Sequence, residues 1–392
     1  MNQFFSERLR DKKVVIVTQQ GTTGPSHDIR DLFVPYVDVL LFIGHPLLFL
    51  PENFKKGSMW ELYKRGAKKS EGHSRVWRAN EFVLYGKDFL YSFFWFFSLI
   101  RRADIFIGVG NINAFAGIFL QKIGLVRRTI FYCIDYVPVR FQNKIINSLY
   151  HAIDRFVVEN SDVVWNLSPR MIEGRRGKWG SLNGNQIVVP IGIWYDRIVS
   201  NRSIKMNTKE IIYLGTLLEK QGLDMCIEAI SDLVKTIPGI RLTIIGSGPY
   251  EKALKEKVKL FKLEHCVIFE GYIKSHLDVE RRISQSALAL AMYDREKDTF
   301  SYYADPGKVK VYLACGVPVL ITDVPYIARL IQEKKCGFLT EYNRIALVET
   351  ISSYLKTPHL VKSYKQNALQ FAKRYNWPDV IEKALKESHL SL

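Results

Sequence analysis

The amino-acid sequence predicts an α/β protein built from two doubly wound units. Short apolar runs rich in β-branched residues alternate with helical lengths along the chain, which is the pattern of parallel α/β sheets. The second half repeats this pattern after a polar, weakly patterned stretch at 197–209, which predicts an interdomain linker there. The length of 392 residues also suits two domains.

Composition narrows the class of protein. Hydrophobic residues make up 47% and charged residues 24%, which excludes disordered and collagen-like chains. The net charge of +17 implies an anionic partner, which is a nucleic acid, a phosphorylated substrate or an acidic membrane surface. The five cysteines are scattered and form no C-x-x-C pair, and the histidines show no ligand spacing. We therefore expect a cytoplasmic protein with neither a disulfide framework nor a metal site.

The first half contains several predicted strands. They share an apolar, β-rich composition and lie at 14–17, 37–43, 105–109, 129–134, 156–158, 163–167 and 187–189. No apolar segment follows the basic start of the chain, so no secretory signal is predicted.

Two segments of the first half differ from this pattern. The basic stretch 53–78 predicts an exposed insertion or a mobile active-site loop. The run 89–100, FLYSFFWFFSLI, is shorter than the ~20 residues that span a bilayer. It has two interpretations, a buried helix packed on a sheet or an interfacial helix whose aromatic face enters the lipid headgroups.

The second half repeats the strand and helix pattern more regularly. Predicted strands lie at 211–214, 241–245, 267–269, 287–292 and 318–321. Predicted helices cover 223–236 and 250–261, and the last helix of the series is predicted to stop at Gly337.

Two glycine-bearing turns follow strands of this half and precede helices. Glycine lets the backbone approach a ligand, and a helix start presents free N–H groups to an anion. The residues that could bind a phosphate-bearing ligand there are Gly215, Thr216, Lys220, Gly222, Gly246 and Gly248. The alternative is that both are simply tight turns. The second turn is not a dinucleotide fingerprint, because the third glycine of G-x-G-x-x-G is absent.

The stretch 305–318 places two lysines at the start of a predicted helix. Cations prefer the C-terminal end of a helix, so Lys308 and Lys310 oppose the helix dipole and indicate an anionic ligand nearby. The alternative is that both are solvated surface lysines.

The first half offers its own candidates at the ends of strands. Gly21, Gly24 and His27 lie in the loop after the first strand, where they could line a cleft from the acceptor side. Asp135 follows the run TIFYCI, at the carboxyl strand end where open α/β sheets place functional groups. The alternatives are a surface histidine and an aspartate that only caps a turn.

Four segments of the second half resemble a known family when taken in order. YLGTLLEKQG, LTIIGSGP, VIFEGYI and KVKVYLACGVPVL resemble, at these spacings, the donor-binding domain of GT-B glycosyltransferases of the large retaining group 1 family. The resemblance covers about residues 185–385 and implies two Rossmann-like domains facing across a cleft. It implies an acceptor-side domain at 1–195, a donor domain at 196–375 and a returning C-terminal helix at 376–392.

The chain departs from this family at charged positions. Thr216 and Gln221 stand where the family typically has an Arg and a Lys on the donor diphosphate, and Tyr303 and Val311 replace its E-x7-E glutamates. Some members instead carry a P-x-K stretch, which 306–308 resembles.

The resemblance implies metal-independent transfer of a hexose from a nucleoside diphosphate sugar to a saccharide or lipid-linked acceptor, with retention of configuration. Lys308 and Lys220 would face the diphosphate, Tyr272 the base, and Tyr303 and Asp305 the rest of the donor pocket. Asp135 would be the general base if one is needed. Synthesis of a cell-surface glycan and peripheral attachment to an anionic inner membrane face would fit the basic and aromatic segments.

Two alternatives stay open at this point. The missing glutamates would also suit a non-catalytic GT-B-like subunit that partners an active enzyme. The charge of +17 would suit a nucleic-acid-binding protein, although no nucleic-acid-binding module is recognisable.

Overall fold

The computed structural model describes residues 2–19, 24–46, 57–77, 79, 81–182, 184–202, 206–297 and 299–390. The chain divides into two compact units. Unit 1 comprises Met1–Pro190 and Trp377–Leu392, and unit 2 comprises Ile191–Asn376. The boundaries predicted from the sequence lie at 195/196 and 375/376, and the structural division lies at 190/191 and 376/377.

Helices and strands alternate through both units. The helices are α1 Gln3–Leu9, α2 Pro25–Phe33, α3 Glu81–Leu99, α4 Asn111–Lys122, α5 Lys144–Asn160, α6 Pro169–Trp179, α7 Tyr195–Asn201, α8 Leu223–Thr236, α9 Glu251–Leu260, α10 His276–Ser284, α11 Thr299–Tyr303, α12 Gly307–Ala314, α13 Ile327–Glu333, α14 Arg344–Leu355, α15 Pro358–Lys373 and α16 Trp377–Glu387. The strands are β1 Lys13–Thr18, β2 Val39–Gly44, β3 Met59–Lys64, β4 Ala67–His73, β5 Ala103–Val109, β6 Val126–Cys133, β7 Val163–Asn166, β8 Gln186–Val188, β9 Glu210–Leu214, β10 Arg241–Ile245, β11 Val267–Gly271, β12 Leu288–Ala291, β13 Val319–Thr322 and β14 Gly337–Thr340.

Unit 1 is a doubly wound sheet. Among the described residues its strand order is β4-β3-β2-β1-β5-β6-β7-β8. The parallel strands are β2, β1, β5, β6, β7 and β8. The central strands β1 and β2 are buried almost throughout, as expected for parallel strands covered by helices on both faces. The carboxyl ends of β1, β2, β5 and β6 therefore lie side by side at one edge of the sheet.

Two predictions for unit 1 need correction. The described part of the basic stretch 53–78 is not a loop, because β3 and β4 form an antiparallel hairpin that extends the sheet from β2, with β4 exposed as expected of an insertion. The predicted strand 156–158 lies inside α5, an amphipathic helix of 17 residues capped by Asn143, whose side chain accepts from the N–H groups of Ile145 and Ile146. Three apolar residues are too few to distinguish a strand from the buried face of a helix.

The aromatic run 89–100 lies mainly on α3, and its interpretation as a helix packed on a sheet is confirmed, whereas lipid contact stays a prediction. Trp95 and Phe96 are buried in the core against β1, β2 and β5, whereas Leu90 and Phe94 are 67% and 62% exposed. No helix among the described residues has the length and apolar content needed to cross a bilayer.

Unit 2 is a second doubly wound sheet. Its described strands are all parallel, in the order β11-β10-β9-β12-β13-β14. The prediction of two Rossmann-like units is therefore confirmed.

Two local predictions for unit 2 are wrong. Gly337 does not end a helix but begins β14, because α13 already ends at Glu333. The polar stretch 197–209 is not the linker, because unit 2 already begins at Ile191 and α7 occupies the first part of that stretch. A polar surface helix and a linker have similar composition, so the pattern alone does not separate them.

Candidate functional site

The two predicted glycine turns of unit 2 pack directly on each other. They follow β9 and β10, which are neighbours in the sheet. Gly215 and Gly246 have φ values of +148° and +135°, and a Cβ on Gly246 would lie 2.0 Å from the Gly215 carbonyl oxygen. A Cβ on Gly248 would lie 2.3 Å from the carbonyl oxygen of Leu217. Both turns therefore require glycine, because backbone meets backbone at their contact.

Lys308 reaches this pair of turns from α12. Its Nζ donates a hydrogen bond to Gln221 Oε1 at 2.8 Å and lies 4.5 Å from the centre of the Tyr213 ring. It also lies 5.2 Å from the centre of the Tyr293 ring, at the end of β12. A Cβ built on Gly215 would be 3.5 Å from the same Nζ. The lysine is half-buried. Its charge lies beside the first turn, near two aromatic rings that can interact with a cation.

Lys310 has a different environment from Lys308, which overturns the interpretation of both as solvated lysines. Its side chain is fully buried and forms an ion pair with Asp305. Its Nζ also donates to the Ile191 carbonyl at 2.6 Å, and Asp305 accepts from the Ile191 N–H at 2.7 Å. Burial lowers the pKa of the Lys310 ammonium, while Asp305 opposes this effect. The anion that Lys310 neutralises is therefore Asp305 of the same chain.

Three further predicted residues of unit 2 lie in the loop between β9 and α8. Thr216 is exposed and its carbonyl accepts from Tyr213 Oη at 3.2 Å. Gly222 is buried with φ +68° and caps α8, and Lys220 Nζ lies 5.9 Å from the centre of the Phe300 ring.

Tyr272 and Tyr303 lie outside the two glycine turns in sequence. Tyr272 directly follows Gly271, whose carbonyl accepts from the Gly246 N–H at 2.8 Å, and its side chain is 75% exposed. Tyr303 ends α11 and packs its ring against Tyr302.

Asp135 lies just beyond the carboxyl end of β6 in unit 1, as the run TIFYCI predicts. Arg140 Nη1 lies 3.1 Å from Asp135 Oδ2, and both side chains are about one-third exposed. Burial raises the pKa of the Asp135 carboxyl above its ordinary value, and the Arg140 cation opposes this rise. A carboxylate with a raised pKa is a better proton acceptor than an ordinary one, which suits a general base.

His27 and Gly24 follow β1 in sequence, and Asp135 follows β6, a strand parallel to it in the same sheet. Gly24 precedes α2, and His27 is in the first turn of that helix and packs on the Phe42 ring at 4.9 Å. Burial lowers the pKa of His27 to about 4, so its imidazole is neutral at pH 7. Gly21 lies outside the described residues.

A cavity beside Asp135 was not predicted from the sequence. Its volume is about 220 Å³, and it lies at the carboxyl ends of β1, β5 and β6. The polar residues that line it are Gln19, Asn111, Asp135 and Arg140. Its walls are apolar or aromatic and come mainly from Tyr85, Ile112, Phe141, Ile146, Leu149, Tyr150 and Ile153. The apolar wall residues of α5 are spaced for one helix face, which is the signal that could have located them.

A buried polar cluster after β2 was also missed. His45 Nε2 lies 2.9 Å from Ser92 Oγ, and Asp88 forms an ion pair with Lys87 at 2.7 Å and accepts from Ser58 Oγ at 2.8 Å. Burial lowers the pKa of His45 to about 4, so this histidine is also neutral at pH 7. The members are far apart in sequence, and no local pattern links them.

Within the described ranges, no three His, Cys, Asp or Glu side chains lie close enough together to hold a metal ion. The absence of a metal requirement stays a prediction.

Comparisons with known proteins agree with this architecture. Residues 196–371 match the family model described as glycosyl transferases group 1. The chain is 26% identical over 259 residues to a protein of Escherichia coli (strain K12) named as a glycosyltransferase of colanic acid biosynthesis, WcaL, covering 64% of this chain and 62% of that protein. It is 26% identical over 185 residues to alpha-monoglucosyldiacylglycerol synthase of Streptococcus pneumoniae, covering 45% of this chain and 39% of that protein.

The fold is also similar to that of HepE from Anabaena, solved in complex with UDP. The TM-score is 0.68 at 15% identity, over 97% of this chain and 100% of that chain. At this identity the likeness supports the fold.

Proposed function

We propose a substrate class and a mechanism from the premise that this chain is a GT-B glycosyltransferase of the glycosyl transferases group 1 family. It transfers a hexose from a nucleoside diphosphate sugar to a lipid-linked or saccharide acceptor in the synthesis of a cell-surface glycan. The uridine nucleotide is the first candidate donor, because the similar fold of HepE is known in complex with UDP. The names of relatives that act in polysaccharide and glycolipid synthesis support the acceptor class.

The observation that carries the proposal is the position of Lys308. Two glycine turns meet there backbone to backbone, and Lys308 donates to Gln221, the residue that stands where the family typically has a lysine. Helix α12 thus supplies a cation beside Gln221, the neutral residue at the family's usual lysine position. A diphosphate against the Gly215 and Gly246 turns would meet this cation and backbone N–H groups.

The chemistry breaks the bond between the anomeric carbon and the donor phosphate. The electron pair of that bond leaves with the diphosphate, whose negative charge grows in the transition state. Lys308 stabilises this charge without a metal ion, because a preorganised cation in a partly buried site acts more strongly than one in water. The acceptor hydroxyl oxygen forms the new bond to the anomeric carbon.

Asp135 takes the proton of the acceptor hydroxyl if this step needs a general base. Its carboxyl lies at a strand end beside a cavity, and its raised pKa favours proton uptake. The family resemblance implies retention of anomeric configuration, which the proton spectrum of a first-formed product would test.

Peripheral attachment to an anionic membrane is part of the proposal. Leu90 and Phe94 lie one turn apart on the outer face of α3, and exposed Arg101 and Arg102 follow that helix. An apolar helix face with adjacent cations suits insertion into an anionic headgroup layer. We expect the protein to float with vesicles containing phosphatidylglycerol at low salt, and the double variant Leu90→Gln/Phe94→Gln to remain in solution. Equal flotation of both proteins would contradict this part.

The test of the function uses purified protein and a panel of nucleotide sugars. We expect UDP to raise the thermal midpoint, and at least one UDP-sugar to release UDP when acceptor lipids or saccharides are added, with EDTA having no effect. UDP binding without turnover over the whole panel would favour the non-catalytic subunit. No response to any nucleoside diphosphate would reject the donor site itself.

A further inference from the structure

The lining of the cavity beside Asp135 is of two chemical kinds. Its charged and amide side chains come from the strand-end loops and the start of α4, while α3 and α5 supply most of the apolar and aromatic walls. A ligand that matches such a lining has a polar part and an apolar part, because each part is stabilised by contacts of its own kind.

The polar part of the lining contains two buried amide donors that have no partner among the described residues. Asn111 is buried, and its Oδ1 accepts from the Ile112 N–H at 2.8 Å, which identifies Nδ2 as the remaining donor. Within the described part of the chain this Nδ2 and the buried Nε2 of Gln19 have no hydrogen-bond partner. A buried donor without a partner costs free energy, so two such amides beside Asp135 indicate a site that hydroxyl oxygens complete.

The apolar part of the cavity lining comes largely from one face of α5. Ile146, Leu149, Tyr150 and Ile153 line the cavity at spacings of three and four residues, which places them on the same side of the helix. Leu149 is 58% exposed, so the groove is open along the helix.

The apolar face continues beyond the cavity toward α3. Phe156 lies one turn after Ile153 and packs on Phe115 at 5.4 Å between ring centres, and Phe115 packs on Phe89 at 5.8 Å. The wall of the cavity is therefore continuous with the aromatic layer between α4 and α3. The same helix α3 carries Leu90 and Phe94 on its exposed face.

We propose that this cavity binds a lipid-linked acceptor where its sugar joins its hydrocarbon chain. The sugar hydroxyls lie against the polar lining residues, and the first methylenes of the chain lie along α5. The inference rests on the proposed function and narrows its acceptor to an amphiphile. A free saccharide would leave the α5 wall without apolar contact, whereas a hydrocarbon chain covers it. Leu149 is then a residue that determines acceptor class, and Asn111 orients the sugar whose hydroxyl faces Asp135.

Binding of alkyl glycosides tests the inference without requiring the natural acceptor. The probes are methyl and n-octyl glycosides of glucose, galactose, mannose and N-acetylglucosamine, each below its micelle concentration, measured by calorimetry. We expect at least one octyl glycoside to bind at least tenfold more tightly than its methyl counterpart, since burying two or three methylenes supplies that factor. Leu149→Gln should lower the octyl affinity at least fivefold and leave the methyl affinity unchanged.

Leu260→Gln is the matched control, because Leu260 is an exposed leucine of α9 in unit 2 that does not line the cavity. It should leave both affinities unchanged, and both variants should keep the wild-type thermal midpoint. Equal affinities of octyl and methyl glycosides across the panel would overturn the inference. An equal loss in both variants would also overturn it, because the gain would then come from adsorption on any apolar surface. If UDP still raises the thermal midpoint in that case, the proposed donor chemistry stands, so the two failures are distinguishable.

Discussion

Replacing Lys308 by methionine removes the charge from the proposed donor site and keeps the apolar stem of the side chain. In the structure its Nζ donates a hydrogen bond to the neutral amide of Gln221 and lies near two tyrosine rings. These contacts are worth about 1–2 kcal/mol of folding stability. A domain with a stability of about 5–15 kcal/mol remains folded after such a loss.

The effect on catalysis should be larger than the effect on folding. A hydrogen bond from an ammonium to a charged phosphate contributes about 1.5–3 kcal/mol. Since about 1.4 kcal/mol is a factor of ten, Lys308→Met should lower kcat/KM by roughly 10- to 150-fold. Much of this loss should fall on kcat, because the leaving diphosphate gains charge in the transition state.

The assay is release of UDP from the active UDP-sugar, with UDP affinity measured in parallel by calorimetry. Lys297→Met is the matched control. Lys297 Nζ pairs at 2.8 Å with Glu219, which lies in the same loop as Gln221, but the Lys297 side chain is more than half exposed. It should change kcat/KM by less than about twofold. Wild-type kcat/KM and UDP affinity in a folded Lys308→Met protein would refute the assignment of this lysine.

Three further predictions follow from the geometry. Because burial raises the pKa of Asp135 and Arg140 lowers it, activity should fall as the pH drops through that raised pKa, and Arg140→Gln should move the acid limb of kcat/KM up by about one pH unit. Lys310→Met should lower the free energy of unfolding in urea by about 3–5 kcal/mol, because it leaves a buried carboxylate without its cation. Gly246→Ala should abolish the thermal shift by UDP, since the new Cβ would lie 2.0 Å from a carbonyl oxygen of the neighbouring turn, whereas Gly177→Ala, in open space on α6, should keep that shift and stabilise the protein by about 1 kcal/mol.

Each of these three has an outcome that contradicts it. An acid limb that stays in place in the Arg140 variant would show that the Asp135 carboxyl does not control the rate. An unchanged urea midpoint for Lys310→Met would mean that the buried ion pair contributes nothing to stability. A normal UDP response in Gly246→Ala would separate the second glycine turn from the donor site.

Local sequence was sufficient for most of the parallel strands and for the two glycine turns. A short apolar run between helical lengths is a local pattern, and a glycine at a strand end reflects a local backbone requirement. Asp135 was predicted on the same ground, since a polar residue directly after a strand marks the carboxyl edge of a sheet.

The features that were missed depend on contacts that no local pattern specifies. The hairpin β3–β4 extends the sheet from β2, and its exposed second strand has no apolar pattern to reveal it. Arg140, the partner of Asp135, lies in the segment before α5, and the apolar wall of the cavity comes mainly from helices whose buried faces are defined only by packing.

By itself the sequence determined the class of fold, most of the parallel strands and the glycines of the two turns, because these depend on propensity and backbone conformation over a few residues. Only the tertiary structure decided which of two lysines on α12 lies beside the glycine turns. Lys308 lies beside the Gly215 turn, while Lys310, two residues later on another face of the helix, is neutralised by Asp305 in the interior. Both lysines lie near the start of the same helix, so the helix alone does not distinguish them. Lys308 contacts β9 and the β9–α8 loop, whereas Lys310 contacts the segment at Ile191.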